Sequence, residues 1–296
     1  MSSCFSISGL TCRLGEICQL EEVDELKPYT AELQIFRDLG FTKTSIINSD
    51  LAVEIEECIL TALDRSQLSA QNIDRVIFCG EPPNHGNSRI FVQNILQNTG
   101  LAEKSRFLIS GNSSGDAFAG LEIAGTMVAD PGKSCLVVSY YRQNDDHGRL
   151  SHDNTAIKCD GVVALVVKSP REGQLHVRNF CRVDHTELSR LPVREDAIVA
   201  AASIIRPLEK LLGADAFGGQ TSLSTSVSRK NNLFLPSQLT AQQYSGKYRD
   251  LNLLMAGQPL FQITDMLENG ILSRGQPVLL YAPSPHSTFA GIVEVI

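Results

Sequence analysis

The sequence predicts an α/β fold, and three observations carry that prediction. Phe107–Val138 reads as strand, corner, helix, strand: an apolar run (Phe107, Leu108, Ile109), a polar corner (Ser110 to Gly115), a helical stretch from Asp116, then a second apolar run from Cys135 to Val138. A helical pattern from Leu51 to about Asp64 leads to a short apolar run ending Val76-Ile77-Phe78-Cys79. The third is Val162 to Val167, an apolar run opened by the turn Asp160-Gly161, which reads as a strand.

Taken in order, Cys4 to Leu10 alternates loosely and reads as a strand. Residues 11–47 read as an irregular stretch rich in Glu and Leu. Asp50 is the expected N-cap of the helix from Leu51, with Val53, Cys58, Ile59 and Leu60 among its apolar positions. Glu81-Pro82-Pro83 breaks the strand that follows, and Ile90 to Leu96 reads as a second helix. Beyond the corner, Ala117, Leu121, Ala124 and Val128 recur at the spacing of one buried helix face, and Asp130-Pro131-Gly132 stops that helix. Arg142 to Lys158 is a polar loop. The second half opens on a strand at Leu175-His176-Val177, has a long helix from Asp196 to Leu212, and a strand from Thr221 to Val227. It closes on the turn Leu272 to Pro277 and the strand Val278-Leu279-Leu280.

Composition narrows the function. At 296 residues and 43% hydrophobic, the chain is globular, and its net charge of −7 argues against nucleic acid or an anionic membrane as the main partner. No apolar run approaches the ~20 residues of a membrane span, and the amino terminus lacks the pattern of a signal peptide, so a cytoplasmic protein is expected. The eight cysteines show no CxxC and no zinc spacing, so neither metal nor other cofactor is expected. Ser151-His152-Asp153 is a triad in letters only, since three consecutive residues cannot face one another. His147, His152 and His185 read as loop residues and His176 as a strand residue.

The corner has the layout of a nucleophile elbow, and there the chain resembles ketoacyl synthase III and the other thiolase-superfamily condensing enzymes. Their corner reads Ala-Cys-Ser-Gly, with the cysteine carrying the acyl group; here it reads Asn112-Ser113-Ser114-Gly115. Ile73-Asp74, Asp160-Gly161 and the carboxyl-terminal Leu272–Leu280 also match the family pattern. The resemblance implies a thiolase-like fold of two similar halves, each with a mixed five-stranded sheet layered with helices (αβαβα). The seam falls near Pro170, giving halves 1–170 and 171–296 in one compact unit. Among relatives, the chain is most similar to the inactive subunit of heterodimeric ketosynthases such as the alkylquinolone-forming one. That subunit is also short, with Ser-Ser at the elbow and no glycine-rich turn.

A condensing enzyme of this family needs a thiolate, a His and an Asn for the enolate, and backbone N–H groups for the oxyanion. The cysteine is Ser113, and no histidine stands between His185 and His286. The family asparagine has two candidates, Asn252 by spacing and Gly257-Gln258 by lettering. In place of the glycine-rich turn the chain has Tyr281 to Phe289. Three readings follow. The first is a Cys-less partner subunit of a heterodimeric condensing enzyme in fatty-acyl or polyketide biosynthesis. The second is an acyltransferase or esterase using Ser113 as nucleophile with His286 as base and Asn112, Ser114 and Gly115 around the oxyanion. The third is an acyl-thioester binding module, with Ser113 only capping its helix. Expected partners are a ketoacyl synthase III-like paralogue or a second copy, and acyl-CoA or an acyl carrier protein. A carrier protein is acidic, so Arg142, Arg149, Arg206, Lys210, Arg229 and Lys230 are the candidate docking set.

Overall fold

The computed structural model describes residues 3–81, 88–111, 115–143, 148–151, 156–184, 206–213, 222–225 (backbone), 244, 246–284 and 287–296. Nine strands form one continuous sheet: β1 (Ser3–Leu14), β4 (Arg75–Cys79), β5 (Ser105–Ile109), β6 (Ser134–Tyr141), β8 (Gly161–Lys168), β9 (Leu175–Asp184), β10 (Ser222–Thr225), β12 (Val278–Pro283) and β13 (Ser287–Val295). Two short pairs complete the strands, β2 (Glu16–Gln19) with β3 (Lys43–Ile46) and β7 (Lys158–Cys159) with β11 (Leu253–Leu254). The described helices are α1 (Thr30–Asp38), α2 (Leu51–Arg65), α3 (Ser88–Asn98), α4 (Asp116–Met127), α5 (206–212) and α6 (Gln258–Glu268).

The sheet order, β10-β12-β13-β9-β1-β8-β6-β4-β5, repeats one pattern outward from its middle. On one side β1 pairs antiparallel with β8, β8 antiparallel with β6, and β6 parallel with β4. On the other, β9 pairs antiparallel with β13, β13 antiparallel with β12, and β12 parallel with β10. The antiparallel pair β1–β9 joins the two, and Pro170 lies in the turn between β8 and β9. The first set has five strands and the second has four described.

Alternation along the strands builds the layers. In β6, Cys135 and Val137 face one core while Leu136, Val138 and Tyr140 face another; β8 divides likewise into Val163, Leu165, Val167 and Val162, Ala164, Val166. The outer core packs against α2 and α3. The inner one holds Ala117, Leu121 and Ala124 of α4 with Leu260, Phe261 and Ile263 of α6, and is closed by Val278, Leu280 and Phe289 of the second set. Beyond that set, Leu208 and Leu212 of α5 cover Leu279 and Tyr281. Helices, first strand set, helices, second strand set, helix: the α/β thiolase-like layering expected from the sequence is observed, with the two sets joined edge to edge through β1 and β9. Strands covered on both faces explain why β6, β8 and β12 read as unbroken apolar runs.

Two expectations need correction. Residues 11–47 are not irregular: β1 runs on to Leu14, β2 pairs with β3, and α1 packs Leu33 and Phe36 into a small core with Leu20, Leu26 and Phe41. In α2, Asp50 caps the helix by accepting the Ala52 N–H at 2.9 Å, but Val53 and Leu60 are exposed. α2 lies on an outer layer and buries a single stripe of Leu51, Ile55, Cys58, Ile59, Ala62 and Leu63. Of the long helix expected from Asp196, the described part is 206–212.

Candidate functional site

The corner after β5 is set by its neighbours. β5 lies parallel to β4, and the Gly80 N–H donates to the Ile109 carbonyl at 2.9 Å just past the end of β4. Gly115 is the N-cap of α4 and is buried, as are Asp116 and Ala117 behind it. The helix then lies against the sheet through Gly120, where an added Cβ would stand 2.4 Å from the Cys79 Sγ. Asn112, Ser113 and Ser114 lie outside the described residues. So do His147, His152, His185, Arg229, Lys230 and His286.

The second half delivers α6 to the same place. Its N-cap, Gly257, has φ of 117°, and a Cβ there would stand 3.2 Å from the Cβ of Ala117. The amino ends of α4 and α6 therefore meet. Of the two asparagine candidates, Gly257-Gln258 stands at this junction, with Gln258 buried as the first residue of α6. Asn252 is buried, and its Oδ1 accepts the Ile157 N–H at 2.8 Å.

The hairpin carrying His286 is anchored on both sides. The Ser284 N–H donates to the Ser287 carbonyl at 2.8 Å, and Tyr281 to Pro283 continue β12. Phe289, three residues beyond His286, packs its ring 6.1 Å from that of Phe118 in the first turn of α4. From Phe289 the rings continue to Phe180 at 6.3 Å and Phe5 at 5.5 Å from Phe180.

Near the corner, the one described thiol is Cys79, fully buried at the end of β4. Burial, then the nearby Asp116 charge, pushes it well above the ordinary thiol value, so it offers no thiolate. Cys12 and Cys135 are likewise pushed up to about 12, mainly by burial. Among the described residues, no group of three or more His, Cys, Asp or Glu is arranged to hold a metal ion. His176 is a strand residue of β9 in register with Ser6 and Glu294.

Arg149 leaves the docking set. It is 5% exposed, its two terminal nitrogens donate to the Asp160 carboxylate at 2.9 and 3.0 Å, and its Nε pairs with Glu25 at 2.6 Å. Asp160 also accepts the Ile47 and Gln143 N–H groups at 2.9 and 3.0 Å. This buried ion pair ties the 20–47 segment to the β6 exit and to β8. Sequence reading took Asp160 only as part of a turn; an acidic residue at the head of an apolar strand was the signal to look for a buried partner. Arg206 and Lys210 are exposed on α5, and Arg142 is half-buried.

The sequence matches no protein-family model and no curated protein. Solved structures do match over the whole chain. A variant of OleA from Xanthomonas campestris has a TM-score of 0.78 at 15% identity, covering 99% of this chain and 98% of that one. ChlB3, described as an acyltransferase, gives 0.80 at 16%, covering 99% and 98%. The 3-oxoacyl-[acyl-carrier-protein] synthase III of Aquifex aeolicus VF5 gives 0.76 at 16%, covering 98% and 99%. At these identities the likeness establishes the fold, that of the ketoacyl synthase III-like thiolases.

Proposed function

We propose that this chain is a Cys-less partner subunit of a heterodimeric condensing enzyme in acyl-thioester (fatty-acyl or polyketide) biosynthesis. One observation carries the reading: β5 and α4 flank the corner and α6 meets the amino end of α4, while the family's nucleophile position is Ser113 in the sequence and the nearby described thiol, Cys79, is buried. A serine hydroxyl is hardly ionised near neutral pH and needs a base. The family's second-half histidine has no counterpart between His185 and His286.

A paired subunit also needs a face for its partner. β5 is the outermost strand of the sheet beside the corner, and Phe107 and Leu108 on its opposite faces are 41% and 44% exposed. An apolar edge strand left open is a hazard that pairing with another chain removes. Arg206 and Lys210, with Arg142, Arg229 and Lys230, remain the candidate docking set for an acidic carrier protein.

One observation favours a second reading, a Ser113/His286 acyltransferase or esterase on acyl-CoA or acyl-carrier-protein thioesters. The Phe118–Phe289 contact holds the hairpin of His286 beside the helix that follows Ser113. Intact-protein mass after incubation with acyl-CoAs and acyl carrier proteins separates the two, run beside Ser113→Ala and His286→Ala. The subunit reading expects no adduct, and a stable complex when the chain is co-expressed with a Cys-His-Asn paralogue. An acyl adduct that needs both Ser113 and His286 would sink it.

A further inference from the structure

The two strand sets meet edge to edge in one ladder, β1 against β9, through Ser3–Phe180, Phe5–Val177, Ser6–His176 and Ile7–Leu175, with a bulge between Ser3 and Phe5. Phe5, Ile7, Leu175 and Val177 face the inner core, so Ser6 and His176 share the opposite face. His176 stands between Ser6 of β1 and Glu294 of β13, and Ser6 has Lys168 of β8 on its other side. The turn between β8 and β9 folds back over this row. The Gln174 N–H donates to the Ile7 carbonyl at 2.9 Å, and a Cβ at Gly173 would stand 2.8 Å from that of Ser6. Ser6 is fully buried, and the His176 Nδ1 is buried with no hydrogen-bond partner among the described residues.

Charge around the imidazole is mostly positive. Arg178 of β9 and Arg171 of the turn face it, with Lys168 beyond Ser6. Glu294, the carboxylate in register with it, is ion-paired to Arg178. β1 adds the exposed Cys4 thiol two residues before Ser6. A neutral imidazole can leave Nδ1 as a bare acceptor. An imidazolium makes it a buried donor without an acceptor, beside two guanidinium groups. We propose that His176 makes the joint between the two strand sets sensitive to protons: neutral, it leaves the β1–β9 ladder closed, and protonated, it loosens it. Burial first, then Arg171 and Arg178, hold the imidazole below its ordinary value against the pull of Glu294 and the Phe5 carbonyl. The joint is therefore at full strength above the unfolded histidine value of about 6.5 and weakens as pH falls through the lower folded value. Such a joint works the same way whether or not the chain meets acyl-thioesters.

Amide hydrogen exchange in the full-length chain, followed by mass at about pH 7.5 and about pH 5.5, tests this. Each rate is corrected for the intrinsic pH dependence of exchange, and peptides from β1 and β9 report the joint. In the wild type, corrected exchange there is expected to quicken about threefold at the lower pH. In His176→Gln the increase should disappear. Arg171→Gln, on the exposed turn, should shrink it, and Glu294→Gln, which removes the carboxylate favouring the imidazolium, should enlarge it. No increase in the wild type, or an equal increase in His176→Gln, would overturn the proposal; so would an increase that Glu294→Gln lessens. Should His176→Gln fail to fold, the opposite effects of Arg171→Gln and Glu294→Gln carry the test.

Discussion

α4 and α6 hold equivalent places, each leading into the strand next to last in its set, yet they are fitted to the sheet by opposite means. Besides Phe118 and Leu121, α4 buries the small residues Ala117, Ala119, Gly120, Ala124 and Gly125, and comes so close to β4 that Cys79 leaves no room for a Cβ at Gly120. α6 buries Leu260, Phe261, Ile263 and Met266 and is held off by bulk. The Phe261 ring meets Tyr248 edge-on at 5.6 Å and reaches Gly161, where a Cβ would stand 2.8 Å from its Cζ. The helix that follows the corner is thus set at a fixed depth by missing side chains, and its counterpart by large ones. Depth without slack suits the helix whose first turn defines a site.

If that contrast is right, truncation should hurt α6 most and enlargement should hurt α4. Phe261→Ala is expected to cost about 4 kcal/mol of unfolding free energy, read from the denaturant midpoint, because the void is too well braced to collapse. Gly120→Ala is expected to cost about 2 kcal/mol by overpacking. Adding Cys79→Ala should recover most of that loss; simple additivity of the two changes would show that depth is not what Gly120 sets.

The smallest effect concerns charge on α6. Burial disfavours the Asp265 carboxylate, but hydrogen bonds from the Tyr244 hydroxyl (2.6 Å) and the Lys247 N–H (3.0 Å) outweigh it and hold its pKa below the usual range. Its stabilisation is therefore fully present above the unfolded carboxyl value of about 3.9 and is lost as pH falls through the lower folded value. Asp265→Asn should flatten that part of the acid limb of a stability–pH curve. An unchanged limb would mean that Asp265 gains nothing from Tyr244 and Lys247.

Much of the central layer was legible in the sequence because it is dictated locally. Ala117, Leu121, Ala124 and Val128 are all buried as helical spacing requires, and Asp50 caps α2 as its side chain allows. What was not legible depends on distant partners. β2 and β3 are strands because each has the other, and Arg149 is buried because Asp160 meets it. Val53 and Leu60 are exposed because α2 lies outside the sheet. At the site, spacing favoured Asn252 and lettering Gly257-Gln258; the sequence does not show that Gly257 abuts α4 while Asn252 bonds to the Ile157 N–H.

The position of β1 bears on how the chain is made. It precedes every other described strand in the sequence, yet it sits in the middle of the sheet. Its ladder partners are Gly161–Lys168 on one side and residues between Leu175 and Phe180 on the other. Neither ladder of β1 can close until synthesis has passed Gly161 and Leu175. Contacts this far apart in sequence slow folding and leave nascent strand edges open to misassembly. Shortening the amino terminus, unlike trimming a peripheral tail, would remove the strand on which both ladders close.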